Sequence, residues 1–200
     1  MPIRAIVQMG DPRLRESCAP VTDFTGSQWG RLVGDLADTL HDWKERSTYG
    51  RGIAAPQVGE QVRLIYIDGF SPGVLVNPRI VAASEETWQP WDACLSFSLA
   101  FFCRVTRHKW ADVEYCDLDG RRLRLHAEGE QAELLQHEID HLDGILAVDR
   151  MTSSRTMCMR SEFEARHRND SPYRRASQDD SPRPARRSSQ AGESRRQDPG

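Results

Sequence analysis

An α+β fold is predicted for this chain of 200 residues: a mostly antiparallel sheet packed around a central metal-binding helix, with an N-terminal helix before it and a disordered C-terminal tail after it. The prediction rests on the order of three patterns. Apolar residues recur at helical spacing between Trp29 and Trp43, short β-branched runs bounded by Gly and Pro fill the middle, and from Gln131 the helical period returns carrying two histidines.

Trp29, Leu32, Val33, Leu36, Leu40 and Trp43 fall on one helical face, with Ser27 placed to cap the start and Gly50 beyond the end. Val62 to Ile67 and Val74 to Val76 have strand character. Val105 to Cys116 and Leu123 to Leu125 flank Asp119-Gly120, a hairpin dipeptide. The helix from Gln131 contains His137-Glu138-Ile139-Asp140-His141, and a weaker helical pattern runs from about Thr152 to Arg166. No internal repeat is present.

From Arg166 to Gly200 there is no Val, Ile, Leu, Met, Phe, Trp or Cys. Such a segment cannot bury enough apolar surface to offset the entropy of ordering it, so the expected organisation is a folded domain over residues 1–165 and a disordered tail over 166–200. The tail holds nine Arg against five acidic residues, a net of +4 against −3 for the whole chain, which leaves about −7 for the domain. An Arg-rich tail suits weak contact with RNA or the ribosome, and equally a purely solubilising role. The N-terminus lacks a signal-peptide pattern and no apolar run reaches membrane-spanning length, so a cytoplasmic protein with no membrane partner is expected. Cys18, Cys94, Cys103, Cys116 and Cys158 are an odd, scattered set that fits a reducing compartment better than a disulfide framework.

His137 and His141, four residues apart, share one face of a helix and can grip a single divalent metal ion. Glu138 lies about 100° around the helix from His137, too far to compete comfortably as a ligand but close enough to exchange a proton with a water on that ion. A catalytic metal needs a third protein ligand. Cys94, in the strand-rich region before the helix, is the best candidate, although a lone Cys is more often a small core residue. Glu162 is the rival, as the downstream carboxylate of a zinc metallopeptidase. Asp140 and Asp143 lie too close along the helix to swing onto the metal and suit supporting or exposed positions. In Gly50-Arg51-Gly52-Ile53-Ala54-Ala55-Pro56-Gln57, small residues mark a backbone that something approaches closely, or an ordinary tight turn, and the Gln57 amide can donate two hydrogens.

This segment, with Cys94-Leu95-Ser96 and Gln136-His137-Glu138-Ile139-Asp140-His141-Leu142-Asp143-Gly144, resembles the peptide deformylase family. The resemblance covers roughly residues 1 to 150 and includes Gln8-Met9-Gly10-Asp11-Pro12. It implies a hydrolase that removes the formyl group from the N-terminal methionine of nascent chains. It implies Cys94, His137 and His141 as metal ligands, commonly for Fe²⁺ and replaceably for Zn²⁺ or Ni²⁺. It further implies Glu138 as the proton-transfer group, and the Gln57 amide and Leu95 backbone N–H as donors to the developing oxyanion. Gly52, Ile53, Ala93, Glu130, Glu133 and Leu134 are the expected substrate contacts.

The chain departs from the family pattern at three places. Asp92-Ala93 stands where Glu-Gly usually precedes the Cys; the shorter carboxylate can still pair, with Arg107 as partner, and the Ala93 methyl crowds a backbone that substrate approaches. Phe97-Ser98-Leu99-Ala100-Phe101-Phe102 replaces a Pro-containing stretch, as an altered pocket wall or an association surface. Glu130 and Glu133 lie two turns and one turn before His137, at positions usually apolar in the family. They favour a specialised deformylase acting on a cationic formylated substrate if they line the pocket; otherwise the helix starts near Gln131, or its charges are paired internally. A non-catalytic binding protein with a structural metal is the remaining alternative.

Overall fold

A computed structural model describes residues 2–173. The predicted tail from residue 174 onward lies outside the described residues. No helix among those described is long and apolar enough to cross a membrane.

The amphipathic run near the N-terminus forms α1, Gln28–Ser47. Its left-handed cap is Thr48 rather than Gly50, because the Thr48 N–H closes back onto the Lys44 carbonyl at 2.8 Å. Strands β1 (Gly52–Ala54), β2 (Leu64–Ile67) and β3 (Val74–Ala83) follow. After the short strands β4 (Thr87–Trp88), β5 (Trp91–Asp92), β6 (Phe101–Arg104) and β7 (Arg107–His108) come β8 (Trp110–Cys116) and β9 (Arg122–Glu128). The main sheet has the order β1-β2-β3-β8-β9 with antiparallel pairing throughout. The β8–β9 turn falls at Asp119-Gly120 as the sequence predicts: Gly120 has φ +81°, and the Asp117 carboxylate accepts the N–H groups of Asp119 and Arg121.

Alternation along β2 gives this sheet two buried faces. Ile65 and Ile67 join Leu75, Val113 and Ala127 beneath Ala132, Leu135, Ile139 and Leu142 of α2, Gly129–Leu142. Leu64, Val76 and Ile53 face the other way, against Leu32, Leu36 and Leu40 of α1. The metal-motif helix and the N-terminal helix therefore cover opposite faces of one sheet. On β1 the same alternation turns Gly52 and Ala54 toward α2 and sends Ile53 into the α1 core, where it is fully buried.

A second sheet, in which β10 (Met157–Met159) pairs with β6 and β6 with β5, explains the main departures from expectation. The predicted helix from Thr152 to Arg166 divides into β10 (Met157–Met159) and the short helix α3 (Arg160–Arg166), because Met157 to Met159 pair antiparallel with Cys103 to Phe101. The chain expected to leave the domain at Arg166 instead continues along it: His167 stacks on Trp91 at 4.7 Å between ring centroids, and Tyr173 packs among Tyr49 and Phe102. The apolar stretch after Ser96 is wall rather than surface, since Phe97, Leu99 and Phe102 are buried. Phe163 of α3 lies parallel to Phe102 with ring centroids 3.7 Å apart and is itself fully buried. Replacing Phe163 by Ala is expected to destabilise the whole domain by about 3–5 kcal/mol. Urea unfolding followed by tryptophan fluorescence checks this, and a change below about 1 kcal/mol would mean that α3 is not part of the cooperative unit.

Candidate metal centre and active site

Three elements meet beside α2. The first turn after β5 supplies Cys94, fully buried, and α2 supplies His137 and His141, which point from its flank toward β5. One donor atom from each of these three residues lies within 4.8 Å of the other two, and the Cys94 Sγ is 3.2 Å from the His141 Nε2. No other cluster of three or more potential ligands assembles among the described residues. Glu162 is elsewhere, paired with Arg166 on α3.

The surroundings fit a transition-metal ion. Asp92 accepts from the His137 Nδ1 at 3.0 Å, which orients the ring with Nε2 toward Cys94 and the ligand cluster. Asp92 is fully buried, and burial opposes its ionisation, but His137 and Arg107 hold its carboxyl well below the usual carboxylate range. Burial works against protonation of His137 as well, yet the Asp92 carboxylate outweighs it and raises the imidazole. Burial, with the neighbouring His137, pushes His141 well below its ordinary value and keeps its lone pair available. The His141 Nδ1 and the Glu138 Oε2 are buried polar atoms without a hydrogen-bond partner. One thiolate and two imidazoles suit iron, zinc or nickel and do not suit Mg²⁺ or Ca²⁺.

Around this cluster the chain builds a cavity of about 20 Å³, room for roughly one water molecule. Glu138, Gly52 and Gln57 border it, with Ala93, Leu95 and Leu134. Burial pushes the Glu138 carboxyl up to about 7. Gly52 permits the approach of that carboxylate: a Cβ on it would lie 2.6 Å from the Glu138 Oε1. The Gln57 side chain is oriented by its own backbone, for its Oε1 accepts the Ala54 N–H at 2.9 Å. Its Nε2 therefore faces the site, 3.3 Å from the Ser96 Oγ and 3.5 Å from the Cys94 Sγ. Leu95 begins the short helical turn Leu95–Phe97, where a backbone N–H has no partner within the turn. The N-terminal segment holds both loops in place through Val7 N–H to the Gln57 carbonyl and Met9 N–H to the Ser96 carbonyl, each 2.8 Å.

Not every predicted site residue reaches the cavity. Ile53 faces α1, for the alternation reason given above. Glu130 borders a separate surface hollow with Trp88 and Arg104. Glu133 is fully buried behind the wall and bonded to the Arg51 Nη2 at 2.6 Å, so its charge is met internally rather than offered to a ligand. Conversely Tyr49, Arg51, Leu99 and Tyr173 line the cavity. Arg51 lay within the small-residue segment but carried no period or motif of its own. Tyr173 was hidden by its polar surroundings.

Fold and site together define a metal-dependent hydrolase, with a three-ligand centre, a buried carboxylate beside it and aligned amide donors. The polypeptide deformylase family model matches residues 3–157. A peptide deformylase of Thermomicrobium roseum is 38% identical over 167 residues, covering 78% of this chain and 90% of that protein. One from Brucella suis is 35% identical over 158 residues, covering 76% and 86% respectively. The crystal structure of the Thermotoga maritima peptide deformylase superposes with a TM-score of 0.70 at 33% identity, over 76% of this chain and all of that one. The Synechococcus elongatus enzyme in complex with actinonin gives 0.70 at 33% identity, over 78% and 82%. The chain belongs to the peptide deformylase family, hydrolases that remove the N-formyl group from nascent polypeptides.

Because Gly52 admits the Glu138 carboxylate, Gly52→Ala is expected to displace it and lower kcat by about 10²-fold or more while metal content is retained. Parallel metal analysis and turnover measurements check this, and an unchanged kcat would show that Glu138 tolerates the shift.

Proposed function

We propose that this protein hydrolyses the formyl amide at the N-terminus of nascent chains, with Cys94, His137 and His141 holding one divalent ion, Fe²⁺ in the native enzyme and Zn²⁺ or Ni²⁺ as substitutes. The carrying observation is that three ligand groups converge on one point, and that one of them, His137, borders the same cavity as the unpartnered Glu138 carboxylate and the Gln57 amide. When bound, the ion supplies Lewis-acid activation of water and of the formyl carbonyl.

The protein's own groups carry the protons and hold the geometry. Glu138 takes a proton as the water oxygen bonds to the formyl carbon, and returns one to the nitrogen as the C–N bond breaks, giving formate and a free amine. Its buried position suits a group that must be ionised at one step and protonated at the next. Gln57 Nε2 and the Leu95 N–H are placed to stabilise the oxyanion, each worth about 10²–10³ in rate. Asp92 keeps His137 in the ligating tautomer and, through Arg107, keeps β5 against α2.

The competing functions lose their footing. A cationic formylated substrate was suggested by Glu130 and Glu133, and neither presents a free charge to the cavity. A metallopeptidase would need Glu162 near the histidines. A structural metal would be closed by four protein ligands, whereas three converge here among the described residues. We further propose that the enzyme acts in the cytoplasm and that its Arg-rich tail contributes a weak contact with the ribosome or RNA.

Cys94→Ala is expected to lose the metal, whereas Glu138→Gln keeps it and loses about 10²–10⁴ in formate release. Anaerobic purification with elemental analysis and a formate assay reads both, and also identifies the ion. Retained metal in Cys94→Ala would sink the ligand set. Truncation after Tyr173 is expected to leave formate release intact and weaken co-sedimentation with ribosomes; identical sedimentation would remove the tail's role.

A further inference from the structure

The phenol of Tyr173 stands where a bound peptide would make its backbone contacts. It lines the same cavity as His137, Glu138 and Gln57, and its hydroxyl accepts the Ala93 N–H at 3.2 Å. The hydroxyl proton goes to the Ala93 carbonyl at 3.4 Å or to the Asp92 carboxylate at 3.5 Å. A peptide strand laid against Ala93 would use that same N–H and carbonyl. Ala93 is buried, so these groups need a partner whether or not substrate is there, and Tyr173 supplies one from within the chain.

The contacts that hold the ring are replaceable. Arg51 stands over it, 4.8 Å from the centroid, and Tyr49 and Phe102 flank it with centroids 5.8 and 5.5 Å away. None of the three depends on the phenol for its place: Glu133 holds the Arg51 guanidinium at 2.6 Å, and Tyr49 packs directly on Phe102 at 5.5 Å. Withdrawing Tyr173 therefore leaves no buried charge unpaired. It uncovers a slot of Tyr49, Leu99 and Leu134 with the aliphatic stem of Arg51, a surface that a flexible thioether side chain fills well.

The segment that carries Tyr173 is attached mainly to itself. From His167 the chain turns through Arg168–Asp170, and among the described residues the hydrogen bonds of Asp170 and Ser171 close within residues 167–173. A hollow, rather than packed core, separates this turn from Trp88 and Trp91. The Arg168 Nε donates to the Tyr173 carbonyl at 3.1 Å, so the turn and its phenol can move as one piece.

We propose that residues 168–173 form an autoinhibitory strap: Tyr173 occupies the peptide-binding groups of the site in the resting enzyme and withdraws to admit the formyl-methionine end of a substrate. The inference rests on the deformylase reading of the site and adds a closed state to it. Closure lowers the apparent affinity for substrate in proportion to the open fraction and leaves the chemical step unchanged once substrate is bound.

Steady-state kinetics on a formyl-Met peptide compares the full-length metal-loaded protein with Tyr173→Ala and Tyr173→Phe. Tyr173→Ala is expected to lower KM by about tenfold at unchanged kcat, and Tyr173→Phe, which keeps the ring but loses the Ala93 bonds, to fall between. A ring that only supported the site would give the opposite, a raised KM or a lowered kcat. Trypsin cleavage after Arg168, followed by mass spectrometry, reads release of the strap without turnover. A saturating unformylated Met-Ala-Ser peptide is expected to speed that cleavage severalfold in the wild type, and Tyr173→Ala to be cut fast with or without it. An unchanged or raised KM in Tyr173→Ala, or a peptide that leaves the Arg168 bond equally protected, overturns the proposal. If no formyl peptide is turned over, the deformylase reading fails, and cleavage at Arg168 with calorimetric peptide affinity in wild type and Tyr173→Ala still decides the strap, equal or absent binding in both overturning it.

Discussion

The site depends on a buried ion-pair chain that joins β5 to α2. Arg107 bonds Asp92 at 3.1 Å and also Asp140, and Arg150 reaches Asp140 from outside at 2.7 Å. Asp92 precedes the ligand Cys94 by two residues, and Asp140 immediately precedes the ligand His141, so one guanidinium sets the distance between the halves of the metal cluster. Such a buried network is a weak source of net stability, since desolvating the charges offsets most of their attraction. Its value lies in geometry. Removing one member would leave the others as uncompensated interior charges, so the arrangement has few alternatives of comparable energy.

The same network gives the shorter Asp92 a sufficient role. Its carboxylate meets Arg107 on one side and the His137 imidazole on the other, so a single buried charge both positions a strand and selects a tautomer. Gln136 adds a neutral tie, with its side chain accepting the His108 N–H at 2.9 Å and donating to the His108 carbonyl at 3.0 Å. The metal helix is therefore fastened on its flank by polar contacts and on its underside by the apolar seam of Ala132, Leu135, Ile139 and Leu142. That division lets the ligand face be polar without exposing the core.

Charge also explains how an apolar wall of the family pattern became polar here. Glu133 and Arg51 come from α2 and the segment before β1, and neither could be buried alone. Together they form a neutral pair whose aromatic neighbour, Tyr173, arrives from the far end of the chain. The segment carrying Tyr173 is rich in Arg, Ser, Asp and Asn, and its order comes from a few specific contacts, such as His167 on Trp91, rather than from an apolar stripe.

Much of this protein was legible in its residues because the relevant physics is local. Helical spacing located α1 and α2, the Asp119-Gly120 dipeptide located the β8–β9 turn, and the four-residue interval of His137 and His141 placed both imidazoles on one face with Glu138 beside them. Cys94 and Gln57 were legible from side-chain chemistry rather than periodicity, as the best third ligand and a neutral amide donor, and family resemblance gave them their roles. The tertiary structure alone decided what depends on partners distant in the chain. Met157 to Met159 became a strand because β6 offered an unpaired edge. Ile53 turned inward because α1 covers that face of the sheet, Glu133 was neutralised by an arginine 82 residues away, and Tyr173 was ordered against Ala93, 80 residues before it. Pattern along a chain specifies elements and motif faces, whereas burial and pairing between remote residues are set only once the elements pack.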